Sequence, residues 1–239
     1  VAAGGGGDPT LAAKVAEALA VSGLSQSLSG RHEEATRTLR RSVEVARGAG
    51  DLRVLAVALG SLAFAQQRND ELDEAERSNL EALEVAQRAG DAGHVATTRL
   101  NLAGIARMRG DVARAIEHLE AAVDMGRRSG RQSTLRQALL NLANLDLYLG
   151  RIDRARSSIE ALDVDRDGLG AVQQAQLLAL EAEILGLEGE ASRAAEKCST
   201  CAEAYRELRR PVDAAEAMLE GILYALRAES VDLARLQEE

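Results

Sequence analysis

Apolar and polar positions along the chain keep a helical rhythm that restarts every 40 residues. Between Gly93 and Arg109 the apolar set is Val95, Leu100, Leu102, Ala103, Ile105, Ala106 and Met108. That spacing marks the buried face of a helix, not the alternation of a strand. Gly110 breaks the pattern and Asp111 can cap the next helix. Val112, Ala115, Ile116, Leu119, Ala122 and Val123 then carry the rhythm to Gly130. Gly50-Asp51 and Gly90-Asp91 repeat the punctuation, and Asp8-Pro9-Thr10 and Pro211 read as starts with proline in the first turn. The pattern predicts helices over 10–29, 31–48, 52–68, 71–88, 92–109, 111–128, 132–149, 151–162, 171–187, 190–208, 212–228 and 230–239. No segment reads as a strand.

Two series of small residues share the period. Gly50, Gly90, Gly130 and Gly170 are 40 apart, and Ala35, Ala75, Ala115, Ala155, Ala194 and Ala234 run in step with a single one-residue slip. A fixed period of this size means stacked supersecondary units. The recurring alanine sits one turn into each second helix, where it lets paired helices approach to the lower end of the usual ~8–10 Å spacing. The expected fold is all-α, a solenoid of about six helix pairs, with residues 8–239 as one domain. Residues 1–7, Val-Ala-Ala and four glycines, read as a flexible linker or cloning remnant, and the pattern runs on to Glu239 as in a piece of a larger protein.

Composition narrows the function classes. The apolar share is 46% but aromatics are only 2%, so the core must be built from leucine, alanine, valine and isoleucine. Lysine occurs only at Lys14 and Lys197 beside 27 arginines, a bias that fits a GC-rich bacterial genome. The net charge of −9 leaves no basic footprint for direct binding of nucleic acid. No apolar run has the length of a membrane span and no secretory signal is seen, so the expected location is cytoplasmic.

The third unit reads Leu102-Ala103, Ala106, Gly110-Asp111, Ala115, Leu119 and Ala122; the fourth reads Leu142-Ala143, Gly150, Ala155, Ile159 and Leu162. These residues resemble the tetratricopeptide repeat, with its leucine–small pair, turn glycine and contact alanines, over roughly residues 10–239. The usual period of that family is about 34 residues; the added length here falls at the end of the second helix and in the link to the next unit. Forty-residue repeats of this kind look like those of large bacterial signal-transducing ATPases, of transcription regulators, and of the spindle adaptor that binds disordered peptides. Asn79 and Cys198 stand where a large apolar residue is usual. HEAT-like repeats share a period near 40 and are the alternative fold; the turn glycine ahead of a small alanine favours the tetratricopeptide reading. The resemblance implies a right-handed α-α superhelix that binds a protein or peptide in a concave groove lined by the first helices.

Asn141 and Asn144 are three residues apart and share a helix face, and Asn101 lies one period before Asn141. An amide can donate to and accept from a peptide backbone, so these three are the candidate backbone contacts. The same register gathers Phe64, Gln67, Arg68, Arg107, Gln137 and Tyr148, with the arginines suited to acidic groups on a partner. Two further readings stand beside the interaction module. One is a regulatory or effector-sensing arm of a transcription regulator or kinase; the other is a structural spacer that self-associates through its ends. The family's clamp for C-terminal peptide tails uses lysines, and neither Lys14 nor Lys197 falls in the right place.

Two motifs offer metal or redox chemistry. Cys198-Ser-Thr-Cys201 is a C-x-x-C pair, but zinc takes about four ligands and His32, His94 and His118 lie in other units. Both cysteines fall on core positions of a second helix and read as small apolar residues. Asp163-Val-Asp165-Arg-Asp167-Gly168 begins like a calcium loop, but Gln174 stands where the bidentate glutamate belongs. An acidic connector is the favoured reading. No phosphate loop and no nucleophile–base set is present, so neither enzymatic activity nor a cofactor is expected.

Overall fold

The computed structural model describes residues 8–163 and 166–238. Its helices are α1 (Pro9–Leu28), α2 (His32–Ala49), α3 (Leu52–Arg68), α4 (Leu72–Arg88), α5 (Ala92–Met108), α6 (Val112–Ser129), α7 (Gln132–Tyr148), α8 (Ile152–Asp163), α9 (Ala171–Leu187), α10 (Ala191–Glu207) and α11 (Pro211–Glu238), with a short 3-10 turn at Arg166–Gly168. No strand occurs among the described residues. Up to α10 the helices fall where the hydrophobic rhythm predicts them. The linker expected over residues 1–7 lies outside the described residues.

The connections repeat one piece of backbone chemistry. Gly30, Gly50, Gly90, Gly110, Gly130, Gly150 and Gly189 all have positive φ, as do Asp70 and Arg209 at two turns without glycine. The residue after such a turn bonds back across it, as from the amide of Asp111 to the carbonyl of Ala106 at 2.9 Å. This closes the end of the helix as a left-handed cap. Asp51, Asp91 and Asp111 then accept backbone N–H groups at the start of the next helix. Gly170 departs from its series: at φ −67° and extended ψ it is the N-cap of α9. Its N–H donates to Gln173 Oε1 at 3.3 Å.

The described residues group into two compact units, divided between Leu135 and Arg136. In the first, α1, α3 and α5 are neighbours and alternate with α2, α4 and α6. Its core runs through Ala16, Leu39, Leu59, Leu62, Leu83 and Leu102. Helices approach closely at small residues, as at Gly23, where a Cβ would stand 2.5 Å from Leu39 Cγ. The second unit centres on Ala175, Cys201, Ala202, Tyr205 and Ala214. The contact alanines Ala35, Ala75, Ala115, Ala155 and Ala194 are buried throughout, as close helix pairing requires.

Helix α8 is short, 12 residues against 17 in α10, as the spacing predicts, and one element departs from the predicted pattern. The pair predicted over 212–228 and 230–239 is one continuous helix, α11, of 28 residues. No glycine interrupts the stretch from Ile222 to Glu238, so nothing forces a turn there.

Candidate functional site

In the first unit the candidate surface is the outward face of α3 and α5. The Arg68 guanidinium lies 5.9 Å from the centre of the Phe64 ring, within cation–π range. Gln67 Nε2 reaches Met108 Sδ at 3.1 Å, so side chains of neighbouring first helices touch. Gly104 leaves this face open: a Cβ there would meet only Gln67 Nε2, at 3.8 Å. Met108 is about half exposed, and Arg107 beside it is exposed too. One period before Arg68 stands Leu28, 70% exposed. Leu28, Arg68 and Met108 thus end three successive first helices with large exposed side chains. Sequence reasoning finds Arg68, Phe64 and Arg107; the 40-residue step from Arg68 is the signal that could have added Leu28 and Met108.

Asn101 has a different setting. Its Nδ2 donates to Asn79 Oδ1 on α4 at 3.5 Å, and buried Asn79 donates in turn to the carbonyl of Ala75 at 3.1 Å. Asn101 is half-buried and is not gathered with Arg68 and Arg107 into one contact set.

The second unit holds a cluster of amides. Gln137 Nε2 on α7 donates to Asn141 Oδ1 at 3.1 Å and to Gln176 Oε1 on α9 at 3.5 Å. Gln173 Nε2 on α9 donates back to Gln137 Oε1 at 3.5 Å. Gln137 and Asn141 are therefore together as the register predicts, while Asn144 and Tyr148 further along α7 are exposed, Tyr148 to 77%. Sequence reasoning misses Gln173 and Gln176 because the chain slips by one: Gln176 lies 39 residues after Gln137, the same step that separates Ala155 from Ala194. Continuing along α9, Glu183 is half-buried, and burial first, then the charge of Glu220, holds its carboxyl above the ordinary range.

Elsewhere in this unit charge is used internally. Buried Asp146 has Arg151 Nη1 and Arg154 Nε each at 3.6 Å. Glu181 binds Arg166 at 2.6 Å and Lys197 at 2.5 Å, above a cleft of about 550 Å³ floored by Ile159, Ile184 and Leu185. Cys198 and Cys201 are buried, and burial pushes both thiols up to about 11; Cys201 Sγ sits 3.3 Å from the carbonyl of Ala175. Of the acidic loop, Val164 and Asp165 lie outside the described residues, while Gln174 spends its amide on the carbonyl of Leu169 at 3.1 Å. Among the described residues no three metal-ligating side chains converge, and no helix is long and apolar enough to cross a membrane.

The family model described as tetratricopeptide repeat matches residues 54–128 and 94–167, and that of anaphase-promoting complex subunit 5 matches residues 14–69. No curated protein matches. Among solved structures, aspartyl phosphate phosphatase F from Bacillus subtilis superposes with a TM-score of 0.66 at 13% identity, over 89% of this chain and 60% of its own. A Rap protein complexed with competence and sporulation factor gives 0.65 at 14% identity, over 91% of this chain and 66% of its own. A signal transduction ATPase with numerous domains from Pyrococcus horikoshii, which has a tetratricopeptide repeat sensor, gives 0.64 at 15% identity. The match there covers 94% of this chain and 39% of the ATPase.

Proposed function

The chain belongs to the tetratricopeptide-repeat family, and from that premise we propose that it is a non-catalytic interaction module whose first helices hold an acidic, partly apolar peptide segment of a protein partner. The observation that carries this is the face of α3 and α5. Arg109, at the end of α5, is matched to Asp73 and Glu76. Arg68 and Arg107, by contrast, have no carboxylate partner among the described residues. Arg68 stands over Phe64, and exposed Met108 and Leu28 end the neighbouring first helices, apolar side chains that a partner's could cover. A cation with no internal partner next to exposed apolar surface is complementary to a carboxylate flanked by apolar residues. In the second unit, Asn144 and the cluster of Gln137 and Asn141 offer amides to a peptide backbone, with Tyr148 as an exposed apolar contact.

The neighbours support the class of function. One Rap protein of this fold is complexed with competence and sporulation factor, and in the ATPase the repeats are a sensor. A regulatory setting inside a larger protein is consistent with both. Asn101 is engaged with Asn79, so we assign it a smaller share of the contact than Arg68 and Arg107.

Titration of a fluorescent peptide library sorted by charge tests the reading. Acidic peptides with apolar neighbours should bind, and Arg68→Ala with Arg107→Ala should weaken them roughly tenfold per arginine, as loss of a charge-assisted bond does. Equal binding of basic peptides, or no loss in the double variant, would refute it.

A further inference from the structure

The cleft over α9 differs from its counterpart one repeat earlier. With the one-residue slip the register steps by 39 here, as from Ala155 to Ala194. Leu142, Asp146, Arg154 and Ser157 bound a cleft of about 290 Å³. In register with them stand Glu181, Leu185, Arg193 and Glu196, in the cleft of about 550 Å³. The earlier cleft keeps a carboxylate at its bottom, where buried Asp146 is held by Arg151 and Arg154. In the later one that position is leucine. Buried Ile159 and Ile184 stand with half-buried Leu185, so the floor is apolar. Where the earlier rim has Ser157, the later rim has Glu196.

The charges of the larger cleft are unevenly paired. Its cations are all engaged: Arg156 with Glu188, Arg193 with Glu190, and Lys197 with Glu181. Glu160 on α8 and Glu196 on α10 line the cleft from the two flanking helices, and both are exposed. No cation among the described residues pairs with either carboxylate. The volume falls in the range of small-molecule sites, ~300–1,000 Å³. An apolar floor between two carboxylates that lack a cation is complementary to an apolar stem with a positive charge at each end. Each ammonium gains a charge-assisted hydrogen bond, and the methylenes between them leave water for the isoleucines. An anion finds no such place, since each lining cation would first have to give up its carboxylate.

We propose that this cleft binds an aliphatic diamine or polyamine. The methylene stem lies on Ile159, Ile184 and Leu185, and two ammonium groups meet Glu160 and Glu196. The site belongs to α8, α9 and α10, uses neither Arg68 nor Arg107, and stands apart from peptide binding.

Calorimetric titration of the 239-residue chain with cadaverine should give saturable one-to-one binding. Pentylamine, with the same stem and one ammonium, should bind roughly tenfold more weakly, as loss of one charge-assisted bond implies. The ether analogue of cadaverine, with oxygen in place of the central methylene, should bind about fourfold more weakly, because one methylene fewer leaves water. Glu160→Gln and Glu196→Gln should each bring cadaverine down to the affinity of pentylamine, with helicity unchanged by circular dichroism. Equal affinity for cadaverine and pentylamine, displacement of cadaverine by magnesium ion at the same concentration, or unchanged affinity in the double variant would overturn the site. The three amines are compared on the native chain, so they decide the matter even where a variant fails to fold.

Discussion

Glu183 gives the candidate surface of the second unit a pH signature at a single residue. Its carboxyl is raised by burial and then by the neighbouring Glu220. A carboxyl raised in the folded state binds its proton more tightly there than in the unfolded chain. Its contribution is therefore fully favourable below the ordinary value of 4.5 and is lost as pH rises through the raised value. Glu183→Gln should leave the melting temperature unchanged near pH 4 and raise it at pH 7, measured by circular dichroism. An identical pH profile for both proteins would show that the carboxylate is solvated. The amide ladder of Gln137, Gln173 and Gln176 is half legible in the sequence: Gln137 stands on the 40-residue step, but the slip between Ala155 and Ala194 moves its partner to a position that no fixed step reaches.

At the scale of the element, the turns are the most legible part of the chain and the most informative where they fail. Seven of them carry glycine at positive φ, and the sequence marks each one. Arg209 adopts φ +55° without that freedom. Arg209→Gly should stabilise the protein by about 0.5–1 kcal/mol, the left-handed strain released less the extra entropy glycine brings to the unfolded chain. A urea midpoint that does not rise would mean the turn holds arginine without strain. Helix α11 reads as two in the sequence because hydrophobic spacing alone resumes a second-helix pattern after Glu229. No glycine stands there as Gly110, Gly150 and Gly189 do at other turns, but Asp70 and Arg209 turn without one, so the sequence alone does not decide its continuity. Spacing places Asn101 on the same principle. The structure engages it with Asn79, a polar residue standing where Leu119 and Leu39 stand in their own repeats, and a register cannot foresee that a neighbour has exchanged leucine for amide.

For the whole molecule, the repeat predicts the fold class and the helix order, while the surface chemistry is visible only once the chain is folded. The two thiols give a measure of opening. With Cys198 and Cys201 held up to about 11, about 0.1% of each is thiolate at pH 8. Iodoacetamide at that pH should label neither in the native protein and both across the urea transition, and rapid native labelling would contradict their burial. Because both are raised from 9.0, the stability they support is present below pH 9 and is lost as the pH climbs toward 11. The exposed ring of Tyr148 has a consequence of another kind. The chain has no tryptophan and three tyrosines; Tyr205 is buried and Tyr224 partly so, which leaves Tyr148 as the bare one. Its ultraviolet emission reports from the first-helix surface itself, so an unlabelled partner settling on α7 changes the protein's own light, and the molecule comes with its optical gauge built in.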